Sequence, residues 1–276
     1  MQAAVNKEYI YMSNISVDAK KLLEAGAHFG HKTSRWHPAM RPFIHSKRGD
    51  THIIDLTKTA EYLDVALAAI TKTVAGGGVI LLTSKKRQAK EKVQEVAEAT
   101  NMPYVVNRWL GGMLTNKNTI GERVKHLKKL EDDMASGALD AKYSKLEVQR
   151  FQEEIDEMNV LYEGIKNMPG SPAMVFALDI IHDKNAVSEA TKLNVPVVSL
   201  VDTNADPRTI KYPVPCNDDA VKTIDLVLDY VQQAIELGES QKKTVDEKVE
   251  KTENAEKPAE KAEAKPAEKE AAKSEK

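Results

Sequence analysis

Four short, almost wholly apolar runs, at residues 79–83, 104–106, 174–178 and 197–201, constrain this chain more than any other feature. A strand with one wet face alternates apolar and polar residues. A run that is apolar throughout is buried on both faces. Helical periodicity fills the spaces around these runs. It covers 57–74 before the first run, 85–100 after it (with Val93, Val96 and Ala97 on one side), and 184–193 after the third. Val221, Ile224, Leu228 and Val231 mark a final helix, with Gly238 placed as its C′ stop. Such alternation predicts an α/β domain, a parallel sheet covered by helices and joined by right-handed crossovers. A helix at 16–24, opened by Ser16, and a strand at 51–56 precede it. Between them, 26–50 reads as a long irregular loop, rich enough in aromatics to be ordered.

Residues 115–167 break the alternation. Ile120, Val124, Leu127, Leu130 and Met134 step at helical spacing, and Val148, Phe151, Ile155, Met158, Tyr162 and Ile165 keep a heptad seam. A polar connector at 136–144 separates the two. The pattern predicts an inserted antiparallel coiled-coil hairpin. The alternative is two helices lying back on the sheet. Residues 13–114 with 168–238 then form the α/β domain, and 1–12 a flexible extension in which Met12 competes with Met1 as initiator. Residues 239–276 carry 10 Lys and 11 Asp or Glu with no aromatic, too little apolar surface to offset ordering. This segment is expected to be a disordered charged tail, or else a solvated helix broken at Pro258 and Pro266.

One cysteine, Cys216, excludes an internal disulfide and a Cys-based zinc cluster, and it reads as a small packed residue. No apolar run is long enough to span a bilayer and no signal-like h-region follows the start, so a cytoplasmic protein is expected. The net charge of −2 hides strong segregation. Basic residues cluster at 20–48, 85–92 and 108–129, and acids dominate 131–163. Three basic clusters interleaved with Trp, Phe or Gly suggest a phosphate-rich partner more than solvated faces alone.

An α/β sheet invites a nucleotide-binding reading, and the loops do not support it. Gly76-Gly77-Gly78 precedes the first apolar run instead of following it, so it reads as a helix stop and turn. Ser84-Lys85-Lys86-Arg87, which does follow, contains no glycine. Asp179, Asp202, Asp206, Asp218 and Asp219 sit where α/β enzymes keep catalytic groups, yet their types and positions fit turns and helix caps better. His28 and His31 have a metal-like spacing with no converging third ligand visible, so no metal is expected.

The blocks Ala27-His28-Phe29-Gly30-His31, Arg35-Trp36-His37-Pro38-Ala39-Met40, Arg108-Trp109-Leu110-Gly111-Gly112-Met113-Leu114-Thr115-Asn116, Val201 to Pro207 and Asn217-Asp218-Asp219-Ala220 occur in this order. Together they resemble the bacterial form of the ribosomal S-two family over about residues 13–237. His37, Cys216 and Ala173 depart from that family's usual residues. The resemblance implies a flavodoxin-like sheet with a coiled-coil hairpin, no catalysis, no cofactor and no small-molecule substrate. It implies a ribosome-bound scaffold that contacts small-subunit rRNA near the head–body junction, lies beside neighbouring small-subunit proteins and supports docking of ribosomal protein S-one. Phosphate contacts are expected from Arg35, Arg41, Lys47, Arg48, Lys85, Lys86, Arg87, Arg108, Asn116 and Lys117, with Trp36 as a planar partner for a base. Trp36 and Trp109 also suit core anchoring, Trp109 more so, and Gly111-Gly112 suits a turn with close backbone approach. The acidic second arm cannot lie on phosphates, so solvent or a protein should face it. An α/β enzyme acting on phosphosugars or nucleotides, and an adaptor binding protein through the hairpin, are the competing readings.

Overall fold

The doubly apolar runs do form one parallel sheet. The structure is a computed structural model that describes residues 15–256. Its strands are β1 (Phe29–Lys32), β2 (Ile44–Arg48), β3 (Thr51–Ile54), β4 (Ile80–Thr83), β5 (Tyr104–Val105), β6 (Met174–Asp179), β7 (Val197–Val201) and β8 (Tyr212–Pro215). The main sheet runs β5-β4-β6-β7-β8, parallel throughout. This is the order of flavodoxin-like doubly wound sheets. Its helices are α1 (Ala19–Ala25), α2 (Leu56–Ala75), α3 (Lys90–Ala99), α4 (Lys117–Ala135), α5 (Ala138–Lys142), α6 (Lys145–Tyr162), α7 (Lys184–Lys192) and α8 (Val221–Glu256).

Successive strand residues point to opposite faces, and two cores follow. Ile80, Leu82, Phe176, Leu178, Val198 and Leu200 join α1, α2, α3 and α8 through Leu22, Leu67, Val96 and Leu228. Leu81, Val175, Ala177, Val197 and Val201 join α4, α6 and α7 through Leu127, Ile155 and Val187, with Trp109 and Met113 between. The inserted helices therefore share a core with the second face of the sheet. The apolar positions of the two arms are buried at Leu127, Leu130, Ile155, Met158, Tyr162 and Ile165, and only partly at Ile120, Val124, Met134, Phe151 and Val148. Glu131 accepts from Lys166 Nζ at 2.6 Å and from Asn159 at 3.0 Å, tying α4 to α6 and the turn after it. The connector contains α5, a helical turn its polar composition did not announce.

Several expectations are corrected. The irregular stretch 26–50 contains β1 and β2, which with β3 form an antiparallel sheet in the order β1-β3-β2. α1 is capped by Asp18, whose carboxylate accepts from Lys20 N at 2.8 Å, not by Ser16. β8, an edge strand, was hidden by Pro213 and Pro215; an edge tolerates proline because its outer N–H groups need no partner.

Gly238 does not stop α8, which continues to Glu256. A Cβ at Gly238 would lie 2.7 Å from Val74 Cβ and 2.8 Å from Thr71 O, so the glycine lets α8 press on α2. Residues 239–256 of the expected tail are accordingly helical, whereas 257–276 and the extension 1–12 fall outside the described residues. Gly77 at φ +78 does make the turn read from the glycine triplet. No helix among the described residues is long and apolar enough to cross a membrane.

Candidate nucleic-acid interface

Parallel strands place all their outgoing loops at one edge of the sheet. Lys85, Lys86 and Arg87 leave β4 there and Arg108 leaves β5 there. The loop after β7 holds the small sheet to the same edge, because His31 N donates to Thr203 Oγ1 at 2.8 Å and His37 N to Thr203 O at 2.7 Å. A methyl at Gly30 would lie 2.6 Å from Thr203 Cγ2, so this join requires glycine. The topology thus gathers three basic clusters far apart in sequence. Arg35, Trp36, Arg41, Lys47, Arg48, Arg87, Arg108, Asn116 and Lys117 are all exposed. Trp36 keeps 36% of its surface exposed and its ring meets His52 at a tilt of 47°, centroids 5.3 Å apart, so it is no core anchor. Trp109 is buried, as its packing reading required.

Lys86 turns the other way. Its Nζ lies 2.8 Å from Asp218 Oδ1, 2.8 Å from Asp219 Oδ1 and 3.2 Å from Asp179 Oδ2, and donates to the Asp218 carbonyl at 3.0 Å. Burial works against its charge, and these carboxylates overcome that and hold its pKa above the usual lysine value. It is therefore unavailable to phosphate, against expectation. Lys85 is half-buried, with Nζ on His182 O at 2.8 Å.

These two lysines bridge the carboxyl ends of β4 and β6, the switch-point crevice where doubly wound enzymes bind ligands. Here the protein's own charges fill it. Burial, then Asp179 and Asp202, push Asp218 up to about 7 despite Lys86. Burial likewise pushes Asp183 up to about 7. At Asp179 burial is outweighed by His182 and Lys86, which hold its carboxyl below the usual range.

Three of the aspartates read as turn or cap residues accept backbone N–H groups, whereas Asp218 and Asp219 pair with Lys86 and do not cap α8. Asp179 Oδ1 accepts from Ile181 N at 2.6 Å, Asp202 Oδ1 from Thr203 N, and Asp206 from Arg208 N at 3.1 Å. Their convergence was not legible. His31 Nδ1 lies 2.9 Å from Asp202 Oδ2, and the hydrogen bond to Asp202 raises the imidazole pKa. His31, Asp202, Asp218 and Asp219 each offer a ligand atom, all within 4.8 Å of one another. Two of these carboxylates, Asp218 and Asp219, already hold the Lys86 ammonium at 2.8 Å, so the cluster's negative charge is met from within the chain. His28 is not among them; its ring lies against Phe29 at a tilt, centroids 4.0 Å apart, and burial lowers its pKa.

The loop between β5 and α4 is organised from inside by a residue that sequence reasoning missed. Glu189, on α7 and 8% exposed, accepts from Trp109 Nε1 at 3.0 Å and Gly112 N at 2.9 Å through one oxygen. Its other oxygen accepts from Leu114 N at 3.0 Å and from Thr115 N and Oγ1, each at 3.3 Å. Burial disfavours this charge, but the donors hold the carboxyl below its ordinary range. Gly112 adopts φ +89, the left-handed region. A methyl at Gly111 would meet nothing within 4 Å, so the expected close approach is absent there.

The family profile described as Ribosomal protein S2 matches residues 22–238. The chain is 42% identical over 228 residues to the small ribosomal subunit protein uS2 of Opitutus terrae, covering 83% of this chain and 75% of that one. It is 44% identical over 217 residues to the uS2 protein of Bifidobacterium longum, covering 79% and 77%. With the uS2 protein of Dehalococcoides mccartyi it shares 43% identity over 220 residues, covering 80% and 89%. With the sheet's ligand crevice closed by Lys85 and Lys86, the chain belongs to the ribosomal protein S2 family, a family of structural ribosomal proteins and not of enzymes.

Proposed function

We propose that this protein is a structural component of the small ribosomal subunit that binds small-subunit rRNA through the carboxyl edge of its sheet. The observation that carries the reading is that Arg87 and Arg108 leave β4 and β5 at that edge and Arg35 lines a cavity there with Asp202 and Asp219, three exposed basic residues from three separate clusters. Guanidinium and ammonium groups on a rigid edge give salt-dependent phosphate affinity, and Trp36 offers an exposed plane to a base or sugar. Lys86 is withdrawn from the interface.

The insertion acts as a coiled-coil arm. Its second helix exposes Glu153, Glu154, Asp156 and Glu157, so it faces solvent or protein and not phosphate. By resemblance, the contact lies near the head–body junction in the cytoplasmic ribosome, beside neighbouring small-subunit proteins, and supports docking of ribosomal protein S-one.

The test is sucrose-gradient sedimentation of host lysate at low and high magnesium, probed for this protein. Co-migration with the small subunit and with intact ribosomes is expected. Retention at the top of the gradient in both conditions would overturn the reading. Protein–RNA crosslinks at residues 153–157 would refute the arm's orientation.

A further inference from the structure

We infer that Glu189 is the positioning residue of the rRNA interface: an internal anion that fixes the 109–115 loop and so aims Arg108, Asn116 and Lys117. The inference rests on the rRNA-binding reading of those three residues. Backbone N–H groups converging from a glycine-bearing turn are the usual cradle for a phosphate. In this loop they point inward and already hold a carboxylate. Five donors, from Trp109, Gly112, Leu114 and Thr115, converge on its two oxygens. The loop therefore offers RNA no nest of its own. Its contribution is the placement of the side chains at its two ends.

Arg108 immediately precedes the first donor, Trp109, and Asn116 and Lys117 immediately follow the last, Thr115. Asn116 also opens α4, its N–H donating to Gly112 O at 2.7 Å. The start of the inserted helix is thereby referred to the same carboxylate. Glu189 is buried and cannot touch RNA itself. A glutamine there keeps the shape but presents an NH₂ to a site filled with donors, so the loop must open.

The experiment measures binding of the full chain to host small-subunit particles lacking this protein, over a series of salt concentrations. The variants are Glu189→Gln, Trp109→Phe, and Arg108→Ala with Lys117→Ala. Glu189→Gln is expected to bind about tenfold or more weakly, with a log K against log salt slope shallower by about one to two, as for lost phosphate contacts. Trp109→Phe removes one donor and is expected to fall between it and the native chain.

A merely structural role would reduce the fraction of folded protein and leave the slope unchanged. Native affinity or native slope in Glu189→Gln, or in Trp109→Phe should Glu189→Gln fail to fold, overturns the positioning role. If the Arg108→Ala, Lys117→Ala pair binds with native affinity, the rRNA reading of this loop fails and takes the inference with it. If that pair weakens binding while Glu189→Gln does not, only the inference fails.

Discussion

Replacing Lys86 with Met keeps most of the volume of the side chain and removes its charge. In the native protein the ammonium is 6% exposed and lies within 3.2 Å of Asp179, Asp218 and Asp219, of which the first two are 4% and 2% exposed. Removing the cation strands two carboxylates in the interior. Breaking a buried pair in this way costs about 3–5 kcal/mol. In a domain of this size that corresponds to a fall in Tm of about 10 °C. The loss should also depend on pH. Asp218 is already pushed up to about 7 with Lys86 present, and without it the value rises further. Between the unfolded carboxylate pKa of about 4 and that raised value, the folded state binds more protons than the unfolded state, so stability falls as pH rises. Lys86→Met should therefore lose more stability at pH 8 than at pH 5, where Asp218 is protonated and neutral. Urea unfolding at both pH values, followed by circular dichroism, measures the difference. A loss below about 1 kcal/mol, or an equal loss at both pH values, would refute the account of Lys86 as the counter-charge of the crevice.

Gly238→Ala should destabilise by about 1–3 kcal/mol, because its methyl would meet Val74 and the Thr71 carbonyl below 3 Å; an unchanged or higher Tm would show that α8 does not press on α2 there. Arg35→Ala with Arg41→Ala should reduce incorporation into small subunits without lowering Tm, since both side chains are exposed. Native incorporation in a competition assay would remove these two residues from the interface.

What was legible in the sequence was whatever local pattern determines. β4, β6 and β7 are buried on both faces, so their apolar runs announced them without help from the rest of the chain. β1 and β2 could not be seen that way. They carry no apolar run and no clear alternation, and the contact that holds their sheet in place, of His31 and His37 with Thr203, comes from more than 160 residues away. Gly238 was misread for a related reason. A glycine inside a helix costs about 1 kcal/mol against alanine, so taken alone it signals an end. Only the closeness of α2 explains why α8 continues through it. Glu189 gave no signal at all, being one acid in a polar helix whose buried face appears only once the 109–115 loop lies on it. Residue types were readable, but the convergence of residues 31, 86, 179, 202, 218 and 219 depends on the order of the strands.

That convergence explains why a sheet built like an enzyme's belongs to a scaffold. Doubly wound proteins use the carboxyl edge for ligands because two crossovers part there and leave a crevice. This chain keeps the crevice and closes it with Lys85 on His182 O and Lys86 among three aspartates. The lysines of one run are thus divided by position. Lys86 points into the fold and stitches β4 to β6 and to the start of α8, while Arg87, one residue on, stays exposed. Rigidity and charge come from the same segment, the combination that the proposed phosphate contacts would use to fix register on RNA.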